Sequence, residues 1–258
     1  MKRIGIIFGA ILCANVAHAQ TETITWDVDG VTTTTTCESG GNITLPTAPT
    51  KPGYMFVGWS DFTPIEYIES TGTQYIDTGF KPNQNTRVVM EYMVPTCNTG
   101  GGVAISGART TGSSNDAFML IYAGNGVIRF DHGVGSIECT PITSAFYNNK
   151  LNLNMVTPNN FTITNVATGT QLSNCTNNSN NSQSNYSLAL FGINNAGNIT
   201  VSPCPFKVYS FQIYDNNTLV RDMIPVLDPD DVPCMYDKVS EEFYYNAGTG
   251  TFGAGNPI

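Results

Sequence analysis

The sequence predicts an all-β protein built as two antiparallel sheets packed into a sandwich or jelly roll. Three observations carry that reading. The run Thr86-Arg-Val-Val-Met-Glu-Tyr-Met-Val94 puts Val88, Met90, Tyr92 and Val94 on one face and Arg87 and Glu91 on the other, the period of two expected of a half-buried strand. Leu151-Asn-Leu-Asn-Met155, Phe161-Thr-Ile-Thr164 and Tyr209-Ser-Phe-Gln-Ile213 alternate in the same way. Between such runs lie clusters of Gly, Asn, Ser and Thr, and no stretch after residue 19 sustains helical spacing, so many short strands joined by turns are the expected arrangement. Two such sheets enclose a core ~10 Å thick.

Taken in order, the chain opens with a secretory signal over residues 1–19: Lys2 and Arg3 supply the charge, Ile4 to Val16 the apolar run, and Ala17-His18-Ala19 the cleavage site. The apolar run is shorter than the roughly 20 residues of a membrane span, so the protein is expected to be exported and not membrane-spanning. Cys13 leaves with the signal, because Leu12 is too bulky for lipoprotein processing. Losing two cations moves the formal net charge from -9 to -11. Eleven Lys and Arg against twenty acids exclude nucleic acid as a partner, since phosphate binding needs clustered cations.

Residues 20–61 read as a separate small module. Ile24-Thr-Trp26, Asp29-Gly30, the threonine run 32–36 and Gly40-Gly41 precede Leu45-Pro46, Lys51-Pro-Gly-Tyr54 and Phe56-Val-Gly-Trp59. Over about residues 22–60 this pattern resembles the Listeria-Bacteroides repeat of internalin-type surface proteins, which implies a β-grasp-like unit. A chain of roughly 40 residues seldom buries enough surface to stand alone, so Trp26 and Trp59 are expected to form its miniature core and the unit to lean on its neighbour.

From residue 62 to 258 the pattern is strand after strand. Ile65-Glu-Tyr-Ile-Glu-Ser-Thr-Gly-Thr-Gln-Tyr-Ile-Asp-Thr-Gly-Phe80 reads as an opening strand pair, and its counterpart lies late in the chain, at Phe206 to Pro225 followed by Met235-Tyr-Asp-Lys238. These segments resemble the bacterial and phage laminin-G-like members of the concanavalin A-like lectin/glucanase superfamily, over about residues 64–256. The resemblance implies a jelly roll in which the beginning and end of the unit share a sheet. Met119-Leu-Ile-Tyr122 and Val127-Ile-Arg-Phe130 flank Asn125-Gly126 and are expected to pair as a hairpin. Ser173 to Ser187 is almost wholly polar and is expected to be a long surface loop.

Six cysteines remain after export: Cys37, Cys97, Cys139, Cys175, Cys204 and Cys234. None forms a C-x-x-C pair and a single histidine survives, which argues against zinc. An even count in an oxidising compartment favours disulfides. With Cys37 alone in the first module, a bridge crossing into the larger unit is expected.

Candidate chemistry is sparse. Glucanases of the superfamily carry alternating carboxylates on one strand; here the nearest approaches are Glu66 with Glu69 and Glu241 with Glu242, whose odd spacings send strand side chains to opposite faces. His132, next to Asp131 and Gly133, reads more simply as a turn residue than as a catalytic base, and no Gly-x-Ser-x-Gly elbow accompanies it. Asp228-Pro-Asp-Asp231 is the one dense carboxylate group. Asp228, Asp230 and Asp231 are therefore the candidate ligands for Ca²⁺, the only cofactor the chain suggests, with a plain turn as the simpler reading. The candidate ligand-binding residues are Tyr122, Arg129, Asp131 and His132, placed on the outside of the hairpin. The function these features and the resemblance imply is non-catalytic binding or adhesion to an extracellular glycan or protein, at the cell surface, in the periplasm or free. A glycoside hydrolase or lyase and a structural surface component are the alternatives.

Overall fold

The computed structural model describes residues 2–4, 21–28, 31–38, 44–48, 50, 54–56, 62–96, 102–110, 116–123, 126–133, 135–177 and 183–258. Among them the protein is all-β, with antiparallel pairing dominant and one short 3₁₀ turn at Ser144–Phe146. Among the described residues no helix is long and apolar enough to cross a membrane.

Before residue 62, Thr21–Val28 and Val31–Glu38 form an antiparallel hairpin, and Lys2–Ile4 pairs in parallel with Tyr54–Phe56. Trp26 is fully buried and its indole N–H donates to Thr35 Oγ1 at 2.7 Å, the usual way a buried indole satisfies its polar edge. Trp59 and Cys97 lie outside the described residues.

The remainder forms two sheets. The smaller runs Gly135–Pro141, Val127–Gly133, Ala117–Ala123, Val103–Arg109, Ala189–Leu190, Ile76–Asp77, with Gly192–Asn195 and Asn198–Val201 attached beside Val103–Arg109. The larger runs Gln171–Thr176, Asn160–Asn165, Leu151–Thr157, Thr86–Met93, Phe206–Asp215, Thr218–Leu227, Pro233–Asp237, Glu242–Tyr244. Alternation holds on Thr86–Met93, whose even positions are buried, and on Leu151–Thr157 and Asn160–Asn165, which pair with each other. The hairpin at 126 forms as the sequence predicts, with Ala123 opposite Val127.

One hydrophobic core lies between the sheets. Tyr92 from the larger sheet and Tyr122 from the smaller meet edge to face, their hydroxyls 2.7 Å apart, and Phe130 meets Phe161 across the same gap with ring centroids 5.5 Å apart. Burial holds both tyrosine hydroxyls well above the ordinary phenol range, so each stays protonated and the pair stabilises the sandwich without a charge inside it.

The opening segment closes the unit. Ile68–Ser70 is hydrogen-bonded on one side to Phe206–Asp215 and on the other to Gly253–Ala254, and Thr63–Pro64 joins Thr218–Leu227. The turn between is built on Gln74, only 3% exposed, whose Oε1 accepts the Thr71 N–H at 2.8 Å and whose Nε2 donates to the Thr251 carbonyl at 2.9 Å. Gly248 must be glycine there, because a Cβ would run into the Thr73 carbonyl oxygen. In Met235-Tyr-Asp-Lys238, Asp237 is fully buried and accepts the Asp222 N–H at 2.7 Å, the Val239 N–H at 3.1 Å and the Ser240 hydroxyl at 2.8 Å, with Arg221 Nε 3.6 Å away.

Two expectations fail here. Ser173 to Ser187 is not loop throughout: Gln171–Thr176 is the edge strand of the larger sheet, with Ser173 and Cys175 inward. Asn177, also buried, donates to the Phe130 and Gly135 carbonyls at 3.2 and 2.9 Å. Polar composition hid the strand because the few inward positions are filled by Ser, Cys and Asn whose polar groups find partners. The expected crossing bridge from Cys37 is also absent: Cys37 and Cys234 are free thiols. The bridge that forms joins Cys139 to Cys175, between the edge strands of the two sheets, with Thr140 and Ser173 hydroxyls 2.8 Å apart beside it. Cys204 is disulfide-bonded too.

These contacts make three testable predictions. In the native protein, iodoacetamide should label Cys37 quickly and Cys234 only after unfolding, because burial pushes the Cys234 thiol up to about 12 and the thiolate is the reactive form. Non-reducing peptide maps should join Cys139 to Cys175. Replacing Asp237 with Ala leaves several partly buried donors without their acceptor and should cost about 3 kcal/mol of unfolding free energy in a denaturant titration.

Candidate functional site

The four ligand candidates read from the sequence do not come together. Tyr122 is 3% exposed and faces the core, and so does His132. The strand Ala117–Ala123 is apolar on both faces, since Ala104, Ala117, Met119 and Ile193 form a second small cluster outside the sheet, so alternation alone does not say which face is inward. Arg129 and Asp131 do share the outer face, as expected, in a bidentate pair at 2.8 and 2.7 Å. It is more than a surface pair, because the Asp131 side chain is only 3% exposed.

His132 lies fully buried, stacked on Phe130 at 5.6 Å and edge-on to Phe118 at 5.5 Å, and neither ring nitrogen has a hydrogen-bond partner. Burial lowers its pKa from the ordinary value of 6.5, an effect the nearby Asn83 backbone only partly offsets.

The carboxylates at 228–231 have a turn to hold. Asp228 Oδ1 accepts the Asp230 and Val232 N–H groups at 2.9 and 2.8 Å, and Oδ2 accepts the Tyr245 hydroxyl at 2.9 Å. Asp230 and Asp231 are exposed and do not converge on it. Among the described residues no three His, Cys, Asp or Glu side chains are grouped to hold a metal ion.

The arrangement with the shape of a site is on the outer face of the larger sheet. An open cleft of about 400 Å³ is lined by Pro64, Ile65, Glu66, Lys150, Tyr209, Pro225 and Ile258, among others. Tyr209 reaches it through an irregularity: the pairing of Phe206–Asp215 with Thr86–Met93 shifts register between Val208 and Ser210, so Val208 and Phe211 both point inward and Tyr209 is turned out. A one-residue bulge reverses the parity of everything beyond it, which is why the strict alternation expected of Tyr209 to Ile213 misplaces this ring.

Around Tyr209 the side chains form a row. Lys207 Nζ sits 3.9 Å from the centre of the Tyr67 ring, Tyr67 meets Tyr209 edge-on at 5.5 Å, and Lys150 Nζ lies 4.5 Å from the centre of the Tyr209 ring while pairing with Glu91 at 2.6 Å. Desolvation raises the pKa of the Tyr209 hydroxyl; Lys207 opposes that rise, and Tyr67, Glu66 and Glu69 add to it, so the hydroxyl is a neutral donor and acceptor at pH 7. Glu66 is exposed and Glu69 half-buried while Ile65, Ile68 and Ser70 are buried, so the two carboxylates lie on the same side of the sheet, against expectation. The chain bends at Glu66, the inward positions are Ile65, Ile68 and Ser70, and odd spacing no longer separates faces. Glu66 accepts the backbone and side-chain N–H groups of Asn256, both at 3.3 Å. Farther along the same face Arg87 lies over Tyr214 and Gln212 donates to Asp222. Such an arrangement can exchange hydrogen bonds with hydroxyls and amides of a long ligand laid across the strands.

Residues 23–86 match the Listeria-Bacteroides repeat domain. The match runs past the small module into Ile68–Ser70 and Ile76–Asp77, strands that pair within the sandwich. Solved structures similar to the chain include scytalido-glutamic peptidase with a peptide-based transition state analog, at 13% identity and a TM-score of 0.34, covering 75% of this chain and 100% of that one. SCP-B, a member of the Eqolisin family of peptidases, in a complex with the tripeptide Ala-Ile-His, matches at 12% identity and a TM-score of 0.32, covering 74% and 99%.

Protonation of His132 should be visible as acid sensitivity. Because the folded-state pKa is depressed, its stabilising contribution is complete above 6.5 and is lost as pH falls from 6.5 toward the folded value. Thermal melts should drop over that window in the wild type, and less steeply in His132→Phe. For the 228–231 turn, melting points in EDTA and in millimolar Ca²⁺ should coincide, while Asp228→Ala should lose about 2 kcal/mol by leaving the two N–H groups unsatisfied.

Proposed function

We propose that this is an exported, non-catalytic binding protein of the laminin-G-like, concanavalin A-like jelly-roll type, acting on an extracellular glycan or protein. Its ligand lies in the Tyr209 cleft. The observation that carries the reading is the row Lys207, Tyr67, Tyr209, Lys150 beside Glu66, polar and aromatic groups held in fixed mutual contact at an open cleft. A site that recognises hydroxyl-rich or amide-rich chains needs such pre-positioned donors and acceptors. The resemblance of residues 65–80 and 206–225 to laminin-G-like segments supports the same reading, as does the secretory signal at residues 1–19. With two acids near one tyrosine, a glycoside hydrolase or lyase is the second reading, and it too uses this cleft.

A glycan array and a panel of extracellular proteins probed with the mature protein test the proposal. Retention should be weakened at least tenfold by Tyr209→Ala and by Glu66→Gln, with melting points within a few degrees of wild type. Binding indifferent to both substitutions removes the cleft from the function, and retention by nothing leaves a structural surface component. Reducing-sugar release that Glu66→Gln abolishes moves the assignment to a hydrolase.

A further inference from the structure

On the opposite side of the molecule the smaller sheet is roofed by part of its own chain. After Ala189–Leu190 the backbone turns at Phe191, which holds a left-handed φ of 68° although fully buried against Phe206 and Phe252. A bulky residue pays steric strain for that conformation. The kink sends Gly192–Asn195 and Asn198–Val201 over the outer face, where Ile193 packs on Ala104 and Met119. Gly107 beneath makes this approach feasible: a Cβ there would stand 3.0 Å from Met119 Cγ and 3.1 Å from Ile193 Cγ1.

Between roof and sheet an open groove of about 300 Å³ remains, lined by Ala104, Ile121, Ala123, Val201 and Pro203 among apolar groups, with Arg129 as its single charged residue. That volume is about ten times the roughly 30 Å³ share of a water molecule, room for a medium-length alkyl chain. The guanidinium is 39% exposed and fixed by two of its five N–H donors to the buried Asp131. Glu138 faces it from the neighbouring strand and adds to the acidic field around it. Two carboxylates against one guanidinium leave the groove with oriented donors and no positive charge to spare. An anionic headgroup gains little there, whereas an uncharged carbonyl or hydroxyl oxygen receives the remaining N–H groups without repulsion.

We propose that this groove binds a small neutral amphiphile, an alkyl chain along Ile121, Ala123 and Val201 with an uncharged oxygen acceptor at Arg129. The site is separate from the Tyr209 cleft and does not depend on the function assigned to that cleft.

Isothermal titration of the full mature protein with decanamide, decanol and decanoate tests it. Decanamide and decanol should bind at least tenfold more tightly than decanoate. Ala123→Leu fills the groove while leaving the Arg129–Asp131 pair intact, and it should weaken decanamide at least tenfold. The double variant Arg129→Met, Asp131→Asn removes the guanidinium donors without stranding a buried charge, and it should weaken decanamide and decanol at least tenfold. Decanoate as the tightest ligand, binding unchanged in Ala123→Leu, or no heat from decanamide at 1 mM would each overturn the proposal.

Discussion

The sandwich depends on one long-range closure. Ile68–Ser70, near the start of the larger unit, is seated between Phe206–Asp215 and Gly253–Ala254, and the hydrogen bonds that hold the neighbouring turn reach across most of the chain. Gln74 and Thr73 donate to carbonyls of Thr251 and Thr249, and Asn256 donates to Glu66. None of these contacts is available to a partly made chain. Loop closure over such separations is costly before the contacts repay it, and folds dominated by non-local pairing form slowly. The opening segment therefore has no complete set of partners until the end of the chain is made, and residues such as Gly248, which admit the Thr73 carbonyl, matter more than their size suggests.

A second constraint acts at the other side. Among the described residues Gly135–Pro141 and Gln171–Thr176 each end the strand order of their sheet, and edges with unpaired backbone groups invite pairing with other chains. Cys139–Cys175 ties these two edges to each other, and the Thr140–Ser173 hydroxyl pair reinforces the tie. The bridge spans two sheets rather than two modules, so it stabilises the layering itself. Arg221 does comparable work between the layers at the opposite end: its Nε donates to the Thr78 carbonyl beside the smaller sheet while the guanidinium lies over Tyr244 of the larger.

What was legible in the sequence was whatever obeys a strict period. Thr86–Met93, the Leu151–Thr157 and Asn160–Asn165 pair and the 126 hairpin follow their alternation or turn chemistry and are found where it puts them. Illegible positions are those where a second layer or a polar partner changes the rule. Tyr122 sits in a strand buried on both faces, so parity has no outward side to name. Gln171–Thr176 buries Ser173 and Cys175, and a polar inward residue with a partner looks the same in sequence as a polar outward one. Asp228 looks like a cation ligand by composition, while Oδ1 accepts from its own turn and Oδ2 from the Tyr245 hydroxyl.

Both concave surfaces arise where the backbone departs from regular strand. A sheet that alternates without interruption presents an even, twisted face, and a cleft in it requires some side chain or strand to leave its row. On the larger sheet the register shift at Val208–Ser210 turns Tyr209 outward, and the bend at Glu66 brings Glu66, Tyr67 and Glu69 to the same side. On the smaller sheet the left-handed turn at Phe191 lifts the following hairpin into a roof. Each irregularity costs local pairing or backbone strain, and each is held by the buried residues beside it, Val208 and Phe211 in one case, Phe206 and Phe252 in the other. Phe206 belongs to both arrangements, since it anchors the kinked Phe191 from the strand that carries the bulge. The same strand therefore sets the shape of the cleft on one side and supports the roof of the groove on the other, and a change in its packing reaches both surfaces through one side chain.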